Sequence, residues 1–249
     1  MKPLHLLCFF LVLVSCKNVD RNLTKITAKT IAIDSTITPS IKIEHMIAPY
    51  KEKLIGEMEK VLSYTSKDLT KKSFAMQSTL GNLMADMCFE VSATLFKEKT
   101  NTAIDFAMFN YGGLRANIYA GKVTKEQAFK LMPFENELVV LNLTGEKVVA
   151  LINYFIKNKK AHPLSKNIAL LVKENEFRLK INDKNFDKNK TYNVLTSDYL
   201  QGGGDKMNFF KNPEKITKLD YKIRDAIINY FEKVDTLKTA IDKRVTIEK

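Results

Sequence analysis

The sequence predicts an α+β fold in a single domain, and three observations predict it. Helical and strand-like patterns interleave irregularly instead of alternating as regular β-α-β units. Hairpin-like stretches lie between them. Two glycine turns stand at the ends of apolar, strand-like runs. The chain has 249 residues, 45% of them hydrophobic, which is enough to fill one sizeable core.

At the start, MKPLHLLCFFLVLVSC runs from Lys2 through an apolar stretch to Ser15 and Cys16, the pattern of a secretory signal. Its apolar run falls short of the roughly 20 residues that span a bilayer. Leu13-Val14-Ser15-Cys16 resembles the bacterial lipobox, whose cysteine becomes the lipidated first residue of the mature protein. The expectation is therefore a signal over residues 1–16 and a lipid-anchored protein in the bacterial cell envelope, periplasmic or on the cell surface. Residues 17–30 form a linker and 31–249 the domain. At the junction, KITAKTIAID alternates enough to suggest a strand.

IEHMIAPYKEKLIGEMEKVL predicts a helix, with Pro49 marking its start or an interruption. The clearest helix is 79–97, where Leu80, Leu83, Met84, Met87, Cys88, Val91 and Leu95 recur at three and four and form a core-facing stripe. AIDFAMFN is a short apolar run that reads as a buried strand. TKEQAFKLM reads as a helix stopped by Pro133, ELVVLNL as a strand, and Thr144 as the cap of a helix carrying Val148, Leu151, Ile152 and Phe155 on one face. NIALLVKENEFRLKIND has the form of a hairpin, and KTYNVLTSDYL of a strand running into QGGGDKM. Asp220 is the candidate cap of a last helix with Ile223, Ile227, Tyr230, Phe231 and Val234.

The formal net charge is +12, yet only five of the 40 basic residues are arginines. Nucleic-acid readers rely on arginine forks and aromatic platforms in basic stripes, whereas these lysines are scattered, so a nucleic-acid partner is not expected. Cys8 lies in the signal and Cys16 carries the lipid, which leaves Cys88 as a buried, inert thiol on a helix face. After the signal only His45 and His162 remain, both read as ordinary surface or helix residues.

The two glycine turns carry the chemistry. In FNYGGLRANIYAG, Gly112 and Gly113 allow special torsions and close approach, and unpaired backbone N–H groups at such a turn suit an anion. Arg115 brings a planar fork matched to phosphate or carboxylate oxygens. Asn110 either caps the turn or bonds a ligand. In the second turn, Gly202, Gly203 and Gly204 precede Asp205, which accepts from sugar hydroxyls or caps the turn, and Tyr199 lies just upstream. In Pro133-Phe134-Glu135-Asn136, Phe134 offers an aromatic face at a helix-to-strand junction, unless it is core. Arginine for phosphate, aspartate for ribose and two aromatic faces for a base together describe a nucleotide.

These segments resemble the C-terminal, substrate-binding domain of the 5'-nucleotidase and UDP-sugar hydrolase family over most of residues 65–235. The resemblance implies that Asn110, Gly112, Gly113 and Arg115 hold phosphate. It implies that Phe134, with Asn136 in the same segment, and Tyr199 clamp the base, and that Gly203, Gly204 and Asp205 meet the ribose. STLGNLMADM is similar to the family's Leu-Gly-Asn-Leu helix start. Full enzymes of this family carry an N-terminal metallophosphatase half that holds two metals through Asp-x-His and Gly-Asn-His motifs, and no such motif occurs in this chain. The family also tends to place an arginine shortly before Leu-Gly-Asn-Leu, where this chain has Lys71, Lys72 and then Ser73-Phe74-Ala75-Met76. The implied function is the stand-alone nucleotide-binding half of a hydrolase in nucleotide salvage. It would take a nucleotide or nucleoside ligand, hold no cofactor itself, and leave divalent metals to a separate metallophosphatase protein. The alternatives are a non-catalytic lipoprotein that captures or senses nucleotides or sugar phosphates, and a scaffold whose site has decayed.

Overall fold

A computed structural model describes residues 22–174 and 176–248. The signal, Cys16 and the first part of the linker lie outside the described residues. Those described fall into two units, 22–48 and 49–248. In the first, residues 22–40 form no helix or strand beyond a turn at 35–37, and helix α1 (Ile41–Met58) begins. The strand suggested for KITAKTIAID is not formed. Alternation makes a strand only beside a partner, and these residues are exposed and unpaired. Pro49 neither starts nor interrupts α1, which runs through it at the loss of one backbone donor. No helix among the described residues is long and apolar enough to cross a membrane.

The second unit has the predicted α+β character. Strand β1 (Val61–Thr65) takes the last residues assigned to the first helix by sequence. Helix α2 (Thr79–Thr100) follows, capped by Ser78, whose hydroxyl accepts from the Gly81 N–H, and closed by Asn101 in the left-handed conformation. Next come β2 (Phe106–Ala107), β3 (Gly121–Thr124), α3 (Lys125–Leu131), β4 (Glu137–Thr144) and α4 (Gly145–Asn158). The hairpin β5 (Ile168–Lys173) and β6 (Glu176–Ile181) leads to β7 (Lys184–Asn185), β8 (Thr191–Ser197) and the short helix α5 (Asp198–Gln201). Strand β9 (Lys215–Lys222), helix α6 (Ile223–Lys233) and β10 (Val245–Ile247) complete the unit.

The central sheet has the order β2-β8-β4-β9, with β2 and β8 parallel and β4 antiparallel to both its neighbours. A second sheet, β10-β5-β6-β7, contains the predicted hairpin, and β1 and β3 form a separate pair. Strand β4 explains why ELVVLNL is apolar throughout. Its Leu138 and Val140 join a core with Leu83 and Met87 of α2 and Ile227 and Phe231 of α6. Val139, Leu141 and Leu143, facing the other way, join a core with α4 and the β5–β6 hairpin. Each such side chain contributes about 1.5–3 kcal/mol on burial. Thr144 caps α4 as expected, its hydroxyl accepting from Lys147 N–H.

Asp220 does not cap the last helix. Lys222 occupies the N-cap position, and Asp220 sits in β9 with φ 55°, 2.6 Å from Lys99 Nζ. The bond from Lys99 holds its carboxyl below the ordinary range. Strand β9 continues two residues beyond Asp220 because its backbone pairs with β4 up to Lys222. The Leu-Gly-Asn-Leu segment has a structural use. Buried Asn82 donates to Gln77 Oε1 and to the Ala240 carbonyl, and Gln77 donates to the carbonyls of Asp242 and Val245, which fastens the end of the chain to the start of α2.

Candidate nucleotide-binding site

Strand β2 delivers the first glycine turn to the end of the central sheet. Residues Tyr111–Gly113 make a single 3-10 turn closed by the bond from Gly113 N–H to the Asn110 carbonyl. The glycines serve close approach, because neither has a positive φ. A Cβ on Gly113 would stand 2.8 Å from Asn110 Oδ1, and one on Gly112 would lie 3.3 Å from both Asn110 Nδ2 and Asp205 Oδ2. The Asn110 side chain thus folds over its own turn and donates to Asp205 Oδ2 at 2.7 Å, 95 residues away.

Gly203 has φ +89° and Asp205 φ 52°, so the second turn is built from left-handed residues. A Cβ on Gly204 would stand 2.4 Å from the Tyr199 ring, and its absence lets that ring lie on the backbone. Tyr199 donates its hydroxyl to Asp205 Oδ1 at 3.2 Å, and Tyr154 of α4 donates to the Asp205 carbonyl at 2.8 Å. Asp205 is therefore held at three points.

One cavity of about 240 Å³ gathers these segments. Asn110, Arg115, Phe134, Asn136, Tyr199 and Asp205 all line it, with Gly112 and Gly113 in its wall. Of the predicted residues, Gly203 and Gly204 do not line it; they shape the turn that presents Asp205, with the Tyr199 ring lying against Gly204. Phe134 is not core: it is 42% exposed, and Tyr199 48%. The Arg115 guanidinium lies 5.9 Å from the Phe134 ring centroid, and its backbone N–H is tied to the Leu131 carbonyl. The floor is apolar, with Met84, Leu114, Met132 and Ile223.

Of the two lysines before Leu-Gly-Asn-Leu, Lys71 is the one beside Arg115. The pair line an adjoining cleft of about 490 Å³, which Lys72 does not reach. Lys71 Nζ stands 4.2 Å over the Tyr111 ring, and burial together with the Arg115 charge pushes its pKa down.

His162 corrects its reading as an ordinary surface or helix residue. It is buried directly behind the first turn, with Nδ1 accepting from Tyr111 N–H at 3.0 Å. Burial, reinforced by the charge of Lys160, lowers its pKa to about 4, so the ring is neutral and its proton sits on Nε2, a buried atom without a protein partner. Cys88 is buried in α2 as expected, and burial pushes its thiol far up. Sequence reasoning missed His162, Tyr154 and Arg224, each of which supports a cavity wall from a distant segment. Pro163, which follows His162, lines the cavity. Among the described residues, no three His, Cys, Asp or Glu side chains stand together as a metal site.

Residues 55–212, more than half of the chain, match the family described as 5'-nucleotidase, C-terminal domain. The chain belongs to this family. Protein UshA of Escherichia coli K12 is 24% identical over 204 residues, covering 79% of this chain and 35% of UshA. A 5'-nucleotidase-related protein of Glossina morsitans morsitans is 24% identical over 241 residues, covering 87% and 43%. Among solved structures, the 5'-nucleotidase precursor of Thermus thermophilus superposes with a TM-score of 0.67 at 18% identity, over 82% of this chain and 42% of that one. That likeness shows the 5'-nucleotidase C-terminal fold. The chain spans less than half the length of each of these relatives.

Proposed function

We propose that this 5'-nucleotidase C-terminal domain is the nucleotide-binding half of a hydrolase. In this reading it is anchored by a lipid on Cys16 in a bacterial envelope, and it presents nucleotides to a metallophosphatase carried on a separate chain. The observation that carries the reading is the convergence of Arg115, Phe134, Tyr199 and Asp205 on one cavity from three separate segments of the sequence. Arg115 supplies a fork for phosphate oxygens, with Lys71 adding a point charge behind it. Phe134 and Tyr199 supply faces for the base, and the Asp205 carboxylate accepts from ribose hydroxyls. Asn110 already holds that carboxylate in place. The same cavity without a hydrolytic partner would serve capture or sensing, and complementation with a metallophosphatase separates the two.

Titration calorimetry tests the binding. Arg115→Ala is expected to weaken a nucleoside monophosphate by about 1.5–3 kcal/mol, the scale of hydrogen bonds to a charged group, and to leave the nucleoside nearly unchanged. Equal losses for AMP and adenosine would mean that Arg115 holds the fold instead of the phosphate. The anchor is tested separately: Cys16→Ala is expected to move the protein from the membrane to the soluble fraction. A variant that still sediments, with no labelled fatty acid on the wild type, sinks the lipoprotein assignment.

A further inference from the structure

Arg224 lies in the first turn of α6, yet its side chain is only 9% exposed. Nη1 donates to three consecutive carbonyls, of Met132, Pro133 and Phe134, at 3.4, 3.2 and 3.3 Å. Nη2 donates to Glu135, and the guanidinium carbon stands 4.5 Å from the Phe129 ring centroid. Lys222 holds the other oxygen of Glu135. These two cations bring the Glu135 carboxyl down to about 2, so it stays ionised throughout the neutral range. The adjacent Ile223 N–H bonds the Asn136 carbonyl at 2.9 Å. The whole loop 132–136, which carries Phe134 into the cavity, is therefore fastened to the start of one helix.

We propose that Arg224 is the positioning residue of the cavity's aromatic wall, fixing the backbone of Phe134 so that its ring is held open for a base. The role rests on the nucleotide reading of the cavity. Among the described residues, Phe134 has no neighbouring aromatic ring to hold it, and it is 42% exposed. The Arg115 guanidinium stands 5.9 Å from its ring centroid, and the backbone that directs the ring is fastened by Arg224, with the Ile223 N–H beside it. A lysine would not substitute. An ammonium is a point donor that cannot serve a row of carbonyls and a carboxylate while stacking on Phe129.

The test combines hydrogen exchange with a double-mutant cycle, using the full chain with unfolding temperatures as the folding check. In Arg224→Lys, the hydrogen-bonded amides that bracket the loop, of Met132, Glu137 and Ile223, are expected to exchange faster, and AMP and adenosine to weaken by the same factor, at least about fivefold, the low end of one lost base stack. In a Phe134→Ala background the lysine substitution is expected to cost no further affinity. Should Arg224→Lys not fold, Phe129→Leu, which removes the ring under the guanidinium and keeps its charge, is measured in the same way. A wild type that binds neither ligand overturns the nucleotide reading and the stacking role with it. In a wild type that binds, unchanged exchange or additive losses overturn the role of Arg224 alone.

Discussion

Arg244→Met is expected to destabilise the domain by roughly 2–4 kcal/mol, the cost of breaking a buried ion network, discounted because its carboxylates are partly open to water. Arg244 is one of the most enclosed charges described, with a side chain 3% exposed. Its guanidinium bonds both oxygens of Asp86 and both of Asp242, and Nη1 also donates to the Leu164 carbonyl at 2.6 Å. Asp86 accepts in addition from Lys166 N–H at 2.7 Å. Methionine fills much of the volume but leaves two carboxylates and a carbonyl without their donor. Segment 162–165, which carries His162 behind the first glycine turn and Pro163 in the cavity wall, would then lose its brace. Burial alone would raise the Asp242 carboxyl, but the bonds from Arg244 outweigh it and hold the pKa below the ordinary value. A lowered carboxylate stabilises above its unfolded pKa, near 4, and the benefit is lost as pH falls through the folded value. The gap between wild type and variant should thus be full at neutral pH and shrink below about pH 4. Urea unfolding at pH 7 and at pH 3 reads both effects. A midpoint unchanged at pH 7 would show that the network contributes nothing net.

What could be read in the sequence was local, and what could not was long-range. The stripe Leu80, Leu83, Met84, Met87 fixed α2 because helical spacing is visible in one stretch of chain. ELVVLNL announced a strand, and the glycine turns, Arg115, Phe134, Tyr199 and Asp205 were found from residue type and context. KITAKTIAID misled because alternation says nothing about whether a partner strand is present. Asp220 misled because the N-cap preference is weaker than the ladder that carries β9 on to Lys222. His162, Tyr154 and Arg224 escaped for one physical reason. Each is defined by a contact across 51 to about 90 residues, and a single buried polar residue has no sequence period. The same holds for choosing between Lys71 and Lys72, which only the placement of Arg115 decides.

The largest expected effect concerns catalysis. Supplied with Mn²⁺, Zn²⁺ or Co²⁺, the purified chain is expected to release no phosphate from AMP above the metal-only background. Phosphoester hydrolysis by the proposed route needs metals that activate water and neutralise charge on the transferring group, and those need several clustered ligands. The chain has three histidines in all, and among the described residues no cluster of His, Cys, Asp or Glu meets that need. His162, the one beside the cavity, is committed through Nδ1 to the Tyr111 N–H and is kept neutral by burial. In the proposed reading the cavity offers orientation: base and ribose held by Phe134, Tyr199 and Asp205 would leave the phosphate at Arg115, which also lines the cleft with Lys71. Binding energy spent there lowers the barrier only when a reactive centre meets that phosphate. Adding a matching metallophosphatase chain is therefore expected to raise phosphate release by orders of magnitude, within the roughly 10⁶-fold or greater accelerations that enzymes reach over water. Arg115→Ala should lower that gain, while inorganic pyrophosphate, which has no base or ribose to hold, should show none. Metal-dependent turnover by the chain alone, abolished by Arg115→Ala and surviving removal of contaminating phosphatases, would overturn the binding-half assignment. Binding of AMP with no gain from the partner would instead favour capture or sensing, because the cavity would then hold nucleotides that nothing cleaves.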